Sequence, residues 1–395
     1  MLSRRLRPII EAALEQLPGV VLLGPRQVGK TTLAKSIAAR RGRTGAVYLD
    51  LERPLDVRRL RDADAFLRAQ ADKLIVIDEI HRAPDLFPVL RGVIDESRRA
   101  GSRTSRYLLL GSAAIELMRQ ASESLAGRVV YHELTPIQVL EYPAQAGSVE
   151  QLWLRGGFPD SLLAADNAAS LGWRRAFIRS YLERDVPMFA PRMPAETIRR
   201  LWTMLAHAQG SQLNQARLAS SLAVSSPAVA RYLDLLVDLL LVRRLQPWSG
   251  NVGKRLVRAP KIYIRDSGIV HALLDIEALD DLLGHPVAGP SWEGFAIENL
   301  IGVAGDRRTP YFYRTADGAE VDLLFERGGR VEMAIEVKRS SAPALSRGFR
   351  SACEVLKPAQ AYLVHGGSES WEEPGGAVAI GLPALLRRIS KSATR

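Results

Sequence analysis

The feature that most constrains this chain is one octapeptide, Gly24-Pro25-Arg26-Gln27-Val28-Gly29-Lys30-Thr31, which has the form G-x-x-x-x-G-K-T. Directly before it, Gly19-Val20-Val21-Leu22-Leu23 is a short apolar run, as a buried parallel strand should be. Directly after it, Thr32-Leu33-Ala34-Lys35-Ser36-Ile37-Ala38 suits a helix. In that order the glycines let backbone N–H groups curl around a phosphate, at the positive end of the helix dipole. Lys30 would reach the β- and γ-phosphates and the Thr31 hydroxyl would hold Mg²⁺. Residues Gly24 to Thr32 are therefore the candidate cradle of a nucleotide.

A partner motif lies where a doubly wound sheet would put it. Lys73-Leu74-Ile75-Val76-Ile77-Asp78-Glu79 is an apolar strand ending in two carboxylates. Asp78 would hold Mg²⁺ through its water shell, and Glu79 would polarise the attacking water as general base. Tyr48-Leu49-Asp50-Leu51 and Arg106-Tyr107-Leu108-Leu109-Leu110-Gly111-Ser112 read as further strands of the same sheet.

Composition sets the outer bounds. A chain of 395 residues with 47% hydrophobic and 25% charged residues is expected to form two to four globular domains. No apolar run approaches a bilayer span, so no membrane partner is expected. The opening MLSRRLRPIIEAALEQLPG carries Glu11 and Glu15 where a targeting segment would be apolar, and reads as an amphipathic helix. Cys353 is the only cysteine, which excludes an intrachain disulfide and a thiolate metal cluster and fits a cytoplasmic location. The formal charge of +11 is compatible with nucleic acid, but the basic residues are scattered rather than clustered.

The series GPRQVGKTT, LIVIDEIHRAPDLFPVLRGVID, YLLLGSA and SLAGRVVYHELTP, then LRGGFP and SYLERDV, resembles one family of AAA+ ATPases. Its members couple the P-loop module to a C-terminal domain of unknown function, DUF4143. The resemblance spans nearly the whole chain and implies ATP, with Mg²⁺, as the nucleotide. It implies that Ser112, ending its strand, senses the γ-phosphate. It also implies an arginine finger, for which Arg128 is the leading candidate and Arg184 the runner-up; a finger acting in trans would require a homo-oligomer. The expected organisation is an ATPase core over 1–150, a helical lid over 151–194, a connector over 195–255 and the DUF4143 domain over 256–395.

The connector reads as a winged helix: a helix near Asn214–Leu222, a turn, a helix from Pro227 to Leu240 capped by Ser225-Ser226, then a strand at Leu241–Leu245. The second helix carries Arg231, Asp234 and Asp238, too acidic for a base-reading helix. Arg243, Arg244, Lys254, Arg255 and Arg258 lie in the expected wing, within reach of phosphates. A structural or protein-docking role is expected over sequence-specific reading.

In the terminal segment, Asp322, thirteen residues and then Glu336-x-Lys338 form the core of the PD-(D/E)xK nuclease pattern, with Val321 replacing its proline. Two strands of one hairpin would set the carboxylates of Asp322 and Glu336 side by side to hold Mg²⁺. Strand alternation would put Lys338 on the face of Glu336. Glu298, on an expected helix through Trp292–Leu300, would complete a catalytic set of Glu298, Asp322, Glu336 and Lys338. Two functions follow. One is an ATP-driven machine cleaving DNA or RNA; the other is a nucleotide switch whose inactive terminal domain docks a protein partner.

Overall fold

The computed structural model describes residues 2–101, 106–112, 125–189, 193–250, 256–340 and 343–393. The chain divides into two compact units, residues 1–137 with 238–240, and 138–237 with 241–395. No helix among the described residues is long and apolar enough to cross a membrane.

The first unit is built on a five-stranded parallel sheet in the order β2-β3-β4-β1-β5. Its strands are β1 (Gly19–Gly24), β2 (Ala46–Asp50), β3 (Leu74–Asp78), β4 (Tyr107–Ser112) and β5 (Val129–Glu133). Every residue of β3 is buried, which explains why it reads as a continuous apolar run without alternation. Helix α1 (Leu6–Gln16) buries Ile10 and Leu14, and α2 (Lys30–Ala38) buries Leu33 and Ile37. Helix α3 (Leu86–Arg99) packs Phe87, Leu90, Val93 and Ile94 against Ile75, Ile77 and Leu109. Parallel register pairs Gly24 with Ser112 and Asp50 with Asp78, so the carboxyl ends of four strands finish on one sheet edge. That edge is where open α/β sheets bind ligands.

The second unit begins with helices, among them α4 (Asn167–Ser180), which runs into a π-helical segment over Tyr181–Asp185. Then come α5 (Ala195–His207), α6 (Gln215–Leu222) and α7 (Ser226–Asp238), followed by an antiparallel ribbon of β6 (Val242–Leu245) and β7 (Lys261–Ile264). Helix α7 ends two residues before the expected Leu240, which takes a left-handed φ of 58°. The Leu241 N–H closes back on the Leu236 carbonyl at 3.0 Å, a Schellman-type stop that needs no glycine.

The rest of this unit carries a six-stranded mixed sheet, order β12-β13-β11-β10-β9-β8. Its strands are β8 (Thr309–Arg314), β9 (Glu320–Arg327), β10 (Arg330–Val337), β11 (Gln360–His365), β12 (Ser370–Glu372) and β13 (Val378–Gly381). Helices α8 (Ala288–Ala304), α9 (Arg347–Leu356) and α10 (Leu382–Ala393) accompany it. Helix α8 is buried along most of its length, Trp292, Ala296, Ile297 and Leu300 included, as its largely apolar sequence requires.

Candidate functional site

The phosphate loop joins β1 to α2, and its shape dictates two glycines. Gly29 caps α2 with a φ of 100°, a region that L side chains rarely enter. At Gly24 the constraint is space, since a Cβ there would lie 2.6 Å from the Leu134 carbonyl oxygen. Lys30 is buried, and its Nζ donates to the carbonyls of Gly24 and Pro25 at 2.9 Å each. Arg26 lies at the rim, 3.4 Å from Glu52, which also faces Arg82 at 3.3 Å.

Across the sheet edge the Thr31 hydroxyl donates to Asp78 Oδ2 at 2.6 Å. The same oxygen accepts from the Tyr48 hydroxyl on β2, and Asp78 Oδ1 accepts from the Glu79 N–H at 3.0 Å. Burial, then the adjoining Asp78 carboxylate, push the Tyr48 phenol well above its usual range, so it remains a donor. Thr31 and Asp78 are hard oxygen donors at the mouth of the loop, and this set fits Mg²⁺.

Glu79 leaves β3 in a left-handed conformation with a φ of 54°. Gln27, in the loop, has a φ of 60°. Two strained non-glycine residues thus meet at one edge, a pattern typical of functional sites. Burial alone would raise the Glu79 carboxyl. The hydrogen-bonding His81, whose Nδ1 lies 3.1 Å away, and the charge of Lys30 outweigh it and hold the pKa at about 2.

The other expected residues of this unit fall as follows. Ser112 ends β4 level with Gly24, while its side chain lies outside the described residues. Arg128 makes a bidentate bridge to Asp95 of α3, at 2.8 and 2.7 Å, and a further bond to the Ala126 carbonyl at 2.9 Å. Arg184 of the second unit is exposed in the π-helical segment. Sequence reasoning missed Tyr48 as a partner of Asp78, and His81. Tyr48 was readable as part of a strand, but not that β2 lies beside β3 so that its hydroxyl reaches Asp78.

In the second unit the structure brings Asp322, Glu336 and Lys338 together. The pairing of Leu323 with Ile335 sets Asp322 and Glu336 on neighbouring strands. Lys338 Nζ lies 3.1 Å from Glu336 Oε1, and Glu336 Oε2 accepts from the Ser346 N–H at 3.1 Å. Asp322 Oδ2 accepts from the Val337 N–H at 2.9 Å.

Glu298, expected beside them, is placed otherwise. It is clamped between Arg243 of β6, with Nη2 2.9 Å from Oε2, and Arg265 just after β7, at 3.0 Å. Burial would raise its carboxyl, but the two guanidinium charges hold it at about 2. The acid of α8 that faces Asp322 is Glu293. Burial, then the Asp322 charge, push it up to about 7 against the opposing Lys261.

Lys261, the first residue of β7, was not singled out from sequence. It is buried, and its Nζ lies 3.2 Å from Glu293, 3.0 Å from Glu320 and 3.5 Å from Asp322. Among the described residues no group of three or more His, Cys, Asp or Glu side chains is arranged to hold a metal ion. Of the expected wing cations, Arg243 serves Glu298, and Arg244 pairs with Asp234 of α7 at 2.6 Å. Lys254 and Arg255 lie outside the described residues.

Comparison with known proteins adds three family matches. A profile described as an AAA domain matches residues 17–143, a domain of unknown function (DUF8612) matches 146–280, and a second (DUF4143) matches 288–385. Uncharacterised proteins of Mycobacterium tuberculosis and Mycobacterium bovis are each 42% identical over 377 residues, covering 95% of this chain and 83% of theirs. Among solved structures, the chain is similar to the Aeropyrum pernix ORC1 protein in complex with DNA, with a TM-score of 0.30, 14% identity, and 69% and 91% of the two chains covered. A STAND-class signal transduction ATPase of Pyrococcus horikoshii gives 0.31, 13%, 76% and 45%.

Proposed function

Because the chain belongs to the AAA+ P-loop ATPases that carry a C-terminal DUF4143 domain, we propose that residues 1–137 bind ATP and hydrolyse it to ADP and phosphate. The observation that carries this is the Thr31–Asp78 contact at 2.6 Å, with buried Lys30 on one side and ionised Glu79 on the other. Backbone N–H groups of the loop would take the phosphates, and Lys30 would exchange its two carbonyl partners for phosphate oxygens. Thr31 and Asp78 would hold Mg²⁺, which supplies charge neutralisation on the phosphates. Glu79, ionised at every physiological pH, accepts the proton of the attacking water.

Phosphate release from ATP, measured with the full chain in Mg²⁺, tests this. Glu79→Gln is expected to keep nucleotide binding while turnover falls by roughly 10²-fold or more. Lys30→Ala is expected to lose both. Turnover that survives Lys30→Ala would overturn the assignment.

For the second unit we propose a nucleotide-responsive docking role, with a protein as the partner, in preference to cleavage of DNA or RNA. Arg243 and Arg244 are engaged inside the unit rather than offered to phosphates, and Glu298 is held by arginines. Retention of a protein partner only in the presence of ATP, lost in Lys30→Ala, is the expected result. Nucleotide-independent retention would contradict the switch. A trans-acting Arg184 or Arg128 would make turnover per chain rise with protein concentration.

A further inference from the structure

The cluster around Lys261 bears on the nuclease pattern of the terminal segment. The family matches divide it: Lys261 falls in the DUF8612 segment, and Glu293, Glu320 and Asp322 fall in the DUF4143 segment. Lys261 enters from β7, whose four residues are all buried, and its ammonium also lies 5.7 Å from the centre of the Phe312 ring. Three carboxylates stand 3.0–3.5 Å from its Nζ, so the ammonium already supplies the positive charge that this cluster attracts.

The surrounding oxygens have other partners as well. Glu293 Oε1 accepts from the Tyr263 hydroxyl, and Glu320 Oε2 faces Arg314 at 3.4 Å. Asp322 Oδ2 is taken by a backbone N–H, and both oxygens of Glu336 are occupied by Lys338 and Ser346. A divalent ion placed here would sit against a buried positive charge. A divalent ion and the ammonium of Lys261 would compete for the same carboxylates.

We propose that Lys261 is a built-in cation occupying the centre of this carboxylate cluster, so that the Asp322, Glu336 and Lys338 pattern forms a structural ion network and takes no divalent metal. The consequence is a terminal domain that keeps the residues of a metal nuclease while joining them to the preceding segment through one lysine. Hydrolysis of phosphodiesters by a metal-bound water has no place in it.

The test is a Mn²⁺ titration of the full chain followed by electron paramagnetic resonance, in which the sharp signal of free Mn²⁺ gives the bound metal by difference. Without nucleotide, the wild type is expected to bind no Mn²⁺ that is lost in Asp322→Asn. With ATP, one Mn²⁺ per chain is expected through Thr31 and Asp78, unchanged in Asp322→Asn. A nucleotide-independent Mn²⁺ that disappears in Asp322→Asn would overturn the proposal.

A second variant tests the competition from the other side. Lys261→Met is expected to lower the unfolding midpoint by roughly 10 °C, since three carboxylates lose their buried partner. Millimolar Mn²⁺ should restore part of that loss in the variant and leave the nucleotide-free wild type unmoved. Stabilisation of the wild type by Mn²⁺ to the same extent, abolished in Asp322→Asn, would count against the proposal. If Lys261→Met fails to fold, the wild-type and Asp322→Asn titrations decide the matter alone.

Discussion

At the scale of single residues, two carboxylates with the same depressed pKa do different work. Glu79 and Glu298 both sit at about 2, yet the first borders the phosphate loop and the second is locked between Arg243 and Arg265. For Glu298 the sign is that of a stabilising depressed acid. Its contribution is complete above the unfolded value near 4.5 and vanishes as pH falls toward 2. A shift of that size amounts to about 3 kcal/mol. Glu298→Gln should therefore destabilise the chain at neutral pH and flatten its stability between about pH 4.5 and 2, as followed by urea unfolding at several pH values. Turnover per folded molecule should be unchanged. Equal stability of wild type and variant across that pH range would overturn this role for Glu298. Tyr48 offers a milder case. Tyr48→Phe removes one of two hydroxyl donors to Asp78 Oδ2 and should weaken ATP turnover by roughly tenfold or less.

At the scale of elements, β1, β3 and β4 of the first unit were legible because each is an apolar run ending at the residue that matters, whereas β5, only half-buried, was not read. Gly24, Asp78 and Ser112 were all read at strand ends, and the structure ends β1, β3 and β4 there. The acid of α8 was not legible. Glu293 and Glu298 are five positions apart on one helix, so they point about 140° away from each other. Choosing between them needs the neighbours of the helix, which no spacing supplies. Lys261 was hidden for a related reason: a lysine opening the strand Lys-Ile-Tyr-Ile reads as a solvated end, whereas every residue of β7 is buried. The loop itself yields a prediction at this scale. Gly24→Ala drives a methyl to 2.6 Å from the Leu134 oxygen, so the β1 end must shift and nucleotide binding should fall sharply, while calorimetry still shows a cooperative transition. Unaltered ATP affinity in that variant would contradict the packing argument.

At the scale of the whole molecule, a net charge of +11 says how the chain meets polyanions rather than what it recognises. Any DNA or RNA it retains should be held through phosphates, with affinity falling steeply as salt rises from about 50 to 200 mM. Fluorescence anisotropy with unrelated sequences is expected to give equal affinities. A strong sequence preference insensitive to salt would require base-reading side chains, and the acidic α7 does not offer them.

The π-helical turn at Tyr181–Asp185 has a meaning for how this chain can vary. A π turn is a helix holding one residue more than its regular path accommodates. Here it sits between α4 and a short helix over Val186–Phe189, with Tyr181, Leu182 and Asp185 turned inward and Glu183 and Arg184 outward. Deleting one residue there would tighten the turn into ordinary helix without breaking the rod. The π turn is a position of slack, where a change in length can be absorbed while the packed segments on either side keep their places.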